Sequence, residues 1–160
     1  NQNGRVYPKH ILENEVEKYI ASSIAENRAL GELDHPESTV INLKNVSHNI
    51  KSLWWDGDDL MGKIEVLPTP SGNILKALIG AGIKVGVSSR GMGSLKQVGE
   101  VLEVQDDFEL LCWDFVSTPS NENSYMHVIK EGLVSNTYNY TKVNSLLTEI
   151  LCSKGTCPVC

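Results

Sequence analysis

Between His10 and Asn27 the apolar residues Ile11, Leu12, Val16, Tyr19, Ile20 and Ile24 recur at spacings of three and four, which places them on one face of a helix. Gly31 and Pro36 interrupt that pattern. Val46 to Trp55 alternates weakly and reads as a strand. Asp56-Gly57-Asp58-Asp59 reads as a turn, and Leu60 to Leu67 as the returning strand of a hairpin. Pro68 to Gly72 has the composition of a loop. Ile74 to Ala81 predicts a short helix that turns Leu75, Leu78 and Ile79 to the core, with Gly80 and Gly82 bracketing its end. Ile83, Val85 and Val87 then alternate with Lys84, Gly86 and Ser88, a strand pattern followed by the glycine-rich stretch Arg90 to Gly93. Val98 to Val104 and Phe108 to Val116 predict two more strands around a charged turn at Asp106-Asp107. Residues 120–145, rich in Asn, Ser and Thr, are expected to be poorly ordered, and Leu146 to Leu151 to form one helical turn. Helix, hairpin, helix and then strands predict an α+β fold with a mostly antiparallel sheet.

Composition narrows the function classes. The 160 residues are 41% hydrophobic and 21% charged, with a net charge of −6, which describes a globular chain rather than a disordered one. No apolar run is long enough for a membrane-spanning helix, and no basic amphipathic face suggests a membrane surface. The acidic balance argues against phosphate-driven nucleic-acid binding. The chain starts at Asn1 without a signal-peptide pattern, so a fragment or processed form is expected. Cys152, Cys157 and Cys160 crowd the end, but they supply a single C-x2-C pair with no nearby His, so a reduced tail is expected rather than a zinc site. No cofactor is expected.

Three segments are odd for plain structure. Gly31-Glu32-Leu33-Asp34-His35-Pro36 places a histidine before a proline that holds the backbone extended. Gly86-Val87-Ser88-Ser89-Arg90-Gly91-Met92-Gly93 ends a strand in two hydroxyls, followed by glycines that would let a substrate backbone approach. Cys112-Trp113-Asp114-Phe115-Val116 buries an acid in an apolar strand, and such an acid demands a partner. Histidine, serine and aspartate are the parts of a nucleophilic hydrolase: the imidazole takes the serine proton and the carboxylate holds the imidazole tautomer. A surface loop histidine, a Ser-Ser-Arg-Gly turn and a turn-capping aspartate are the competing structural readings. His10, His48 and His127 occupy settings no more telling than that of His35. Trp54 and Trp55 read as packing.

Gly-Arg-Val-Tyr-Pro at 4–8, Gly-Glu-Leu-Asp-His-Pro at 31–36, Leu-Trp-Trp-Asp-Gly-Asp-Asp at 53–59, Gly-Val-Ser-Ser-Arg-Gly-Met-Gly-Ser-Leu at 86–95 and Trp-Asp-Phe-Val-Ser-Thr-Pro-Ser at 113–120 occur in this order. Together they resemble the prohead core proteases of T-even-type tailed bacteriophages, a family related in fold to herpesvirus assemblin. The resemblance covers residues 1–122, which it marks as a serine protease domain expected to lack the family's N-terminal strand region; residues 123–160 are left as a polar linker and Cys-bearing tail. It implies a barrel-like sheet flanked by helices. It also implies that His35 is the general base, Ser88 the nucleophile and Asp114 the orienting acid. Ser89 is the competing nucleophile. Because adjacent strand residues face opposite ways, Val85 and Val87 in the core put Ser88 on the other face with Gly86, whose small size would leave room for substrate. Arg90 and the backbone around Gly91 are candidates for the oxyanion site, Arg90 being equally suited to an ion pair, and Glu32 either orients the His35 loop or is a solvated acid.

The resemblance implies cleavage after Glu in Leu/Ile-x-Glu contexts. The substrates would be scaffold core proteins, the major capsid protein and the enzyme itself, inside the procapsid in the host cytoplasm. Of the matching sequences in this chain, Leu147-Thr148-Glu149 lies outside the predicted helix, so Glu149 is the self-cleavage candidate. Lys63, Lys76, Lys84 or Arg90 could supply the positive charge that a Glu pocket needs. A non-catalytic capsid-core or tube protein on the same fold is the alternative, and a homo-oligomer stays open.

Overall fold

The computed structural model describes residues 3–121 and 123–129 in full and the backbone of residues 146–149. Strand β1 (Arg5–Val6) leads into helix α1 (Lys9–Tyr19), which continues through a π-helical turn over Ile20–Ile24. The helix buries Ile11, Val16 and Tyr19, so the three/four spacing is used as read. It also buries Glu15, whose carboxylate accepts the Leu110 amide at 3.1 Å and pairs with Lys18. Asn27, at a positive φ of 54°, turns the chain into β2 (Leu30–Glu32). Too short for periodicity to reveal, β2 occupies what the sequence presented only as a break.

The hairpin follows the sequence closely. β3 (Val46–Asp56) and β4 (Asp59–Val66) pair antiparallel around Gly57-Asp58, with an irregularity between Ile50 and Ser52. Helix α2 (Pro70–Gly80) begins earlier than expected, inside the segment read as loop. The reason is chemical. Proline suits the first helical position, and Thr69 caps the end by accepting the Gly72 amide at 3.0 Å. The Thr69 hydroxyl also donates to the Val46 carbonyl, tying the cap to β3.

Next come β5 (Gly86–Met92), β6 (Leu95–Val98), β7 (Val101–Val104) and β8 (Glu109–Val116). The run expected as one strand over 98–104 is the second half of a hairpin, because Gly99 at a φ of 61° turns the chain between β6 and β7. β9 (Val128–Ile129) and β10 (Leu146–Glu149) complete the order. The helical turn expected at 146–151 is instead strand β10 over its described part, paired parallel with β4. A tertiary partner overrides weak local preference there. The Cys-bearing tail lies outside the described residues, as do residues 130–145.

The α+β class holds, but the sheets are mixed. Pairs β2–β3, β3–β4, β5–β8 and β6–β7 are antiparallel, whereas β1–β7, β4–β10 and β9–β10 are parallel. Three sheets form, in orders β1-β7-β6, β2-β3-β4-β10-β9 and β5-β8. Among the described residues none closes into the expected barrel. Single bridges, Leu33 to Phe115 and Gly86 to Tyr125, join the β5–β8 pair to its neighbours where a barrel needs continuous ladders. The second bridge belongs to a segment expected to be loose: Val87 donates to the Ser124 carbonyl at 2.8 Å, and Ser124 is buried. No helix among the described residues is long and apolar enough to cross a membrane.

One core, containing Val16, Tyr19, Ile50, Ile64, Leu75, Val87, Trp113 and Phe115, lies between α1, α2, the hairpin and the β5–β8 pair. Ile11, Val104 and Phe108 form a second cluster under the small sheet. Removing the Thr69 hydroxyl loses both its cap and its bond to β3. Thr69→Ala is therefore expected to cost about 1–2 kcal/mol in chemical denaturation, with Thr69→Ser recovering most of it.

Candidate active site

The site is built on the register of β5 against β8. Val87 lies opposite Phe115, Ser88 opposite Asp114, Ser89 opposite Trp113 and Arg90 opposite Cys112. Directly opposed residues share a face and neighbours along a strand alternate. Val87, Trp113 and Phe115 face the core, so Ser88, Arg90, Cys112 and Asp114 share the other face and Ser89 does not.

Asp114 is completely buried. Its carboxylate accepts from the Glu32 amide at 3.0 Å, from His35 Nδ1 at 2.8 Å and from the Cys112 thiol at 3.4 Å. Arg90 meets the same carboxylate side-on, with Nε 3.0 Å from Oδ2 and Nη2 3.2 Å from Oδ1. Burial pushes the Asp114 pKa up, but the His35 hydrogen bond, the Glu32 amide, the Arg90 charge and the Cys112 thiol together outweigh it and hold the group below its ordinary value. The Cys112 thiol moves the other way: burial, and then the neighbouring carboxylate, push it up to about 12, so it remains neutral.

His35 sits on the turn after β2. Leu33 bridges to Phe115, the Asp34 amide donates to the Phe115 carbonyl at 2.7 Å, and Asp34 takes a positive φ of 70°. These contacts dock the turn on the end of β8, within reach of Asp114. The imidazole stays partly open, with 38% of its side chain exposed. In the neutral ring a donating Nδ1 leaves Nε2 as the proton acceptor, the tautomer a general base requires.

Ser88 Oγ lies 3.2 Å from Ser120 Oγ. Among the described residues no hydrogen bond joins Ser88 to His35, so the structure brings His35 and Asp114 together while Ser88 is held by a second hydroxyl. Four details of the sequence reading change. A Cβ on Gly86 would strike the Pro119 ring at 2.6–2.9 Å, so the space expected for substrate is filled by the chain itself. A Cβ on Gly91 would meet the Phe108 ring at 2.5 Å and the Glu109 carbonyl, so this glycine serves close packing. The Arg90 side chain, a candidate oxyanion donor, is buried and committed elsewhere: beyond Asp114 it pairs with Glu32 at 2.6 Å and donates to the Ser38 carbonyl at 2.7 Å. The ion-pair alternative describes it. Glu32 is likewise fully buried rather than solvated. Glu149 lies opposite Glu65 in the β4–β10 pairing.

Sequence reasoning passed over His48. It is fully buried, its ring packs edge-on against Phe115, and Nε2 donates to the Trp113 carbonyl at 3.0 Å. Nδ1 then accepts from the Ser47 hydroxyl at 2.8 Å. A Cβ on Gly31 would run into both that ring and the Trp113 carbonyl, so only glycine lets β2 lie this close. The buried strand position in the β3 pattern was the available signal. Beside the His35 turn, Leu33, Asp34, Leu78, Lys84, Phe115 and Ser117 line a cavity of about 330 Å³. Among the described residues no cluster of His, Cys, Asp and Glu could hold a metal ion.

A partly open imidazole hydrogen-bonded to a buried carboxylate, with a serine opposite that carboxylate in the strand register, makes a candidate site for acid-oriented general-base chemistry. Residues 1–136 match the prohead core protein serine protease family, and the chain belongs to it. It is 41% identical over 102 residues to the prohead core protein protease of Enterobacteria phage T4, an alignment covering 62% of this chain and 48% of that protein. The chain thus spans about half the length of the curated relative it matches. The solved bacteriophage T4 capsid assembly protease superposes with a TM-score of 0.70 at 37% identity, covering 72% of this chain and 73% of the other.

The pKa shifts predict two acid windows. His48 binds its proton near 4 when folded, chiefly because burial disfavours the charged ring, against an ordinary 6.5. The unfolded chain therefore takes up this proton first, and stability declines as pH falls from 6.5 to 4, by about 3 kcal/mol at most. Asp114 has a depressed folded pKa, so its contribution is present above its ordinary value of 3.8 and is lost as pH falls further. Unfolding curves across pH should show the slope between 6.5 and 4 flattened in His48→Gln, and the loss below 4 flattened in Asp114→Asn.

Proposed function

We propose that this chain carries the active site of a serine endopeptidase that matures phage proheads. Family membership sets the class. The single observation that supports the assignment of roles is the 2.8 Å hydrogen bond from His35 Nδ1 to the buried Asp114, with Ser88 opposite Asp114 in the strand register.

In this reading Ser88 Oγ attacks the scissile carbonyl while His35 Nε2 takes its proton. Asp114 keeps the ring in the required tautomer and stabilises the imidazolium. His35 then returns the proton to the leaving amine, and water repeats the cycle on the acyl-enzyme. The serine exchanges Ser120 for His35 as substrate enters, in keeping with the tightening of catalytic hydrogen bonds in substrate complexes. With the Arg90 side chain occupied, stabilisation of the oxyanion falls to backbone amides, those around Gly91 among the candidates.

The substrates in this reading are scaffold core and capsid proteins inside the procapsid, cut after Glu in Leu/Ile-x-Glu contexts. Of the cations considered for a Glu pocket, Lys84 lines the cavity beside the His35 turn, which supports it as the charge that reads the substrate Glu. Self-cleavage after Glu149 would require β10 to leave β4, since a protease holds its substrate strand by the same backbone groups.

Ser88→Ala and Ser89→Ala separate the two hydroxyls. On a peptide containing Leu-x-Glu, Ser88→Ala should lower turnover by about 10⁴-fold or more, whereas Ser89→Ala should remain within roughly 10-fold. Loss confined to Ser89→Ala would move the nucleophile to Ser89. Equal activity in both would remove serine catalysis from this strand.

A further inference from the structure

Arg90 touches every element that bears a proposed catalytic group. It lies on β5 with Ser88, forks onto Asp114 of β8, and donates to the Ser38 carbonyl in the loop that carries His35. Glu32 completes the frame. One carboxylate oxygen takes Arg90 Nη2 at 2.6 Å and the other accepts the Asn42 amide at 3.2 Å, while the Glu32 amide donates to Asp114 at 3.0 Å. The loop after β2 is thereby pinned at Glu32, Ser38 and Asn42. The buried cluster holds two carboxylates and one guanidinium, with the Cys112 thiol neutral beside them.

We propose that Glu32 and Arg90 are a positioning pair for the base: Arg90 aims the Asp114 carboxylate at His35 and the Glu32 carboxylate keeps Arg90 in place. The inference rests on the reading of His35 as base, and nothing in the family match assigns it. A carboxylate with one free rotation about its stem presents a lone pair to His35 in only part of its range. The guanidinium restricts that rotation, because Nη2 donates to Oδ1 while the Nε side of the same rigid group lies 3.0 Å from Oδ2 and donates to the Cys112 sulfur. Lysine cannot do the same, having a point charge without a fork. The pair thus acts on chemistry through His35 and touches no substrate itself.

The test uses the full chain with Arg90→Lys, Glu32→Gln and Glu32→Asp. Two readouts are taken: peptide cleavage, resolved into kcat and KM, and the ¹⁵N shifts of the His35 ring, which report the nitrogen that carries the proton. Arg90→Lys and Glu32→Gln should lower kcat by about 10²-fold with KM within roughly threefold, the scale of a small misplacement of a catalytic group. The ring should change from a single Nδ1–H tautomer to a mixture. Glu32→Asp, which keeps the charge, should recover part of both. Folded variants with unchanged kcat and an unchanged ring spectrum would overturn the proposal and leave the pair as a stabilising contact only. Should these variants fail to fold, the ring spectrum of the parent chain decides: a mixture of His35 tautomers there, with Asp114 already gripped by Arg90, overturns the proposal as well. A parent chain that cuts no peptide counts against the protease reading, and the ring spectrum then decides this proposal alone.

Discussion

The burial of the Asp114 carboxylate is the constraint around which this molecule is organised. An ionised carboxylate removed from water is costly unless hydrogen bonds and opposite charge replace the solvent. Here the replacement comes from four places in the chain: the Glu32 amide of β2, the His35 ring of the following turn, Arg90 of β5 and Cys112 of β8 itself. Each donor reaches Asp114 only if its element is seated correctly. The charge that would serve catalysis is therefore also what registers β2 and β5 against β8. Taking away one partner strands the others, which makes the cluster costly to break, on the order of 3–5 kcal/mol for a buried pair.

Close backbone approach makes that convergence possible. β2 reaches β8 because Gly31 presents no side chain to the Trp113 carbonyl and the His48 ring. His48 in turn spans from β3 to β8 through the same carbonyl, and its ring rests on Phe115. Two histidines thus divide the labour. One is buried and kept neutral by its surroundings, where it braces the joint. The other is on a turn, partly open, with Nδ1 tied to Asp114. Only the second has the exposure that substrate chemistry needs.

The chain after β8 is part of the same arrangement. Val116 ends the strand, Pro119 lies over Gly86, Ser120 meets Ser88, and Ser124 to Met126 run back along β5. The strand bearing the proposed nucleophile is therefore covered on the face it shares with Asp114 near Gly86.

Elements whose signal is local were legible in advance. The face of α1, the β3–β4 hairpin with its Asp-Gly turn, and the alternation that puts Ser88 opposite in sense to Val87 all depend on near neighbours along the chain. The motifs carrying His35, Ser88 and Asp114 were likewise visible as residues that plain structure does not ask for. What the tertiary structure alone decided was partnership. Arg90 and Glu32 each read as ambiguous charges, because a charged side chain in isolation looks the same whether it meets water, substrate or another buried group. β2 and β10 are short strands made by their neighbours, and Gly86 faces a proline thirty-three positions away rather than open space. Distances between residues far apart along the chain settle such questions, since the desolvation and pairing energies that choose among them exist only once the strands have met.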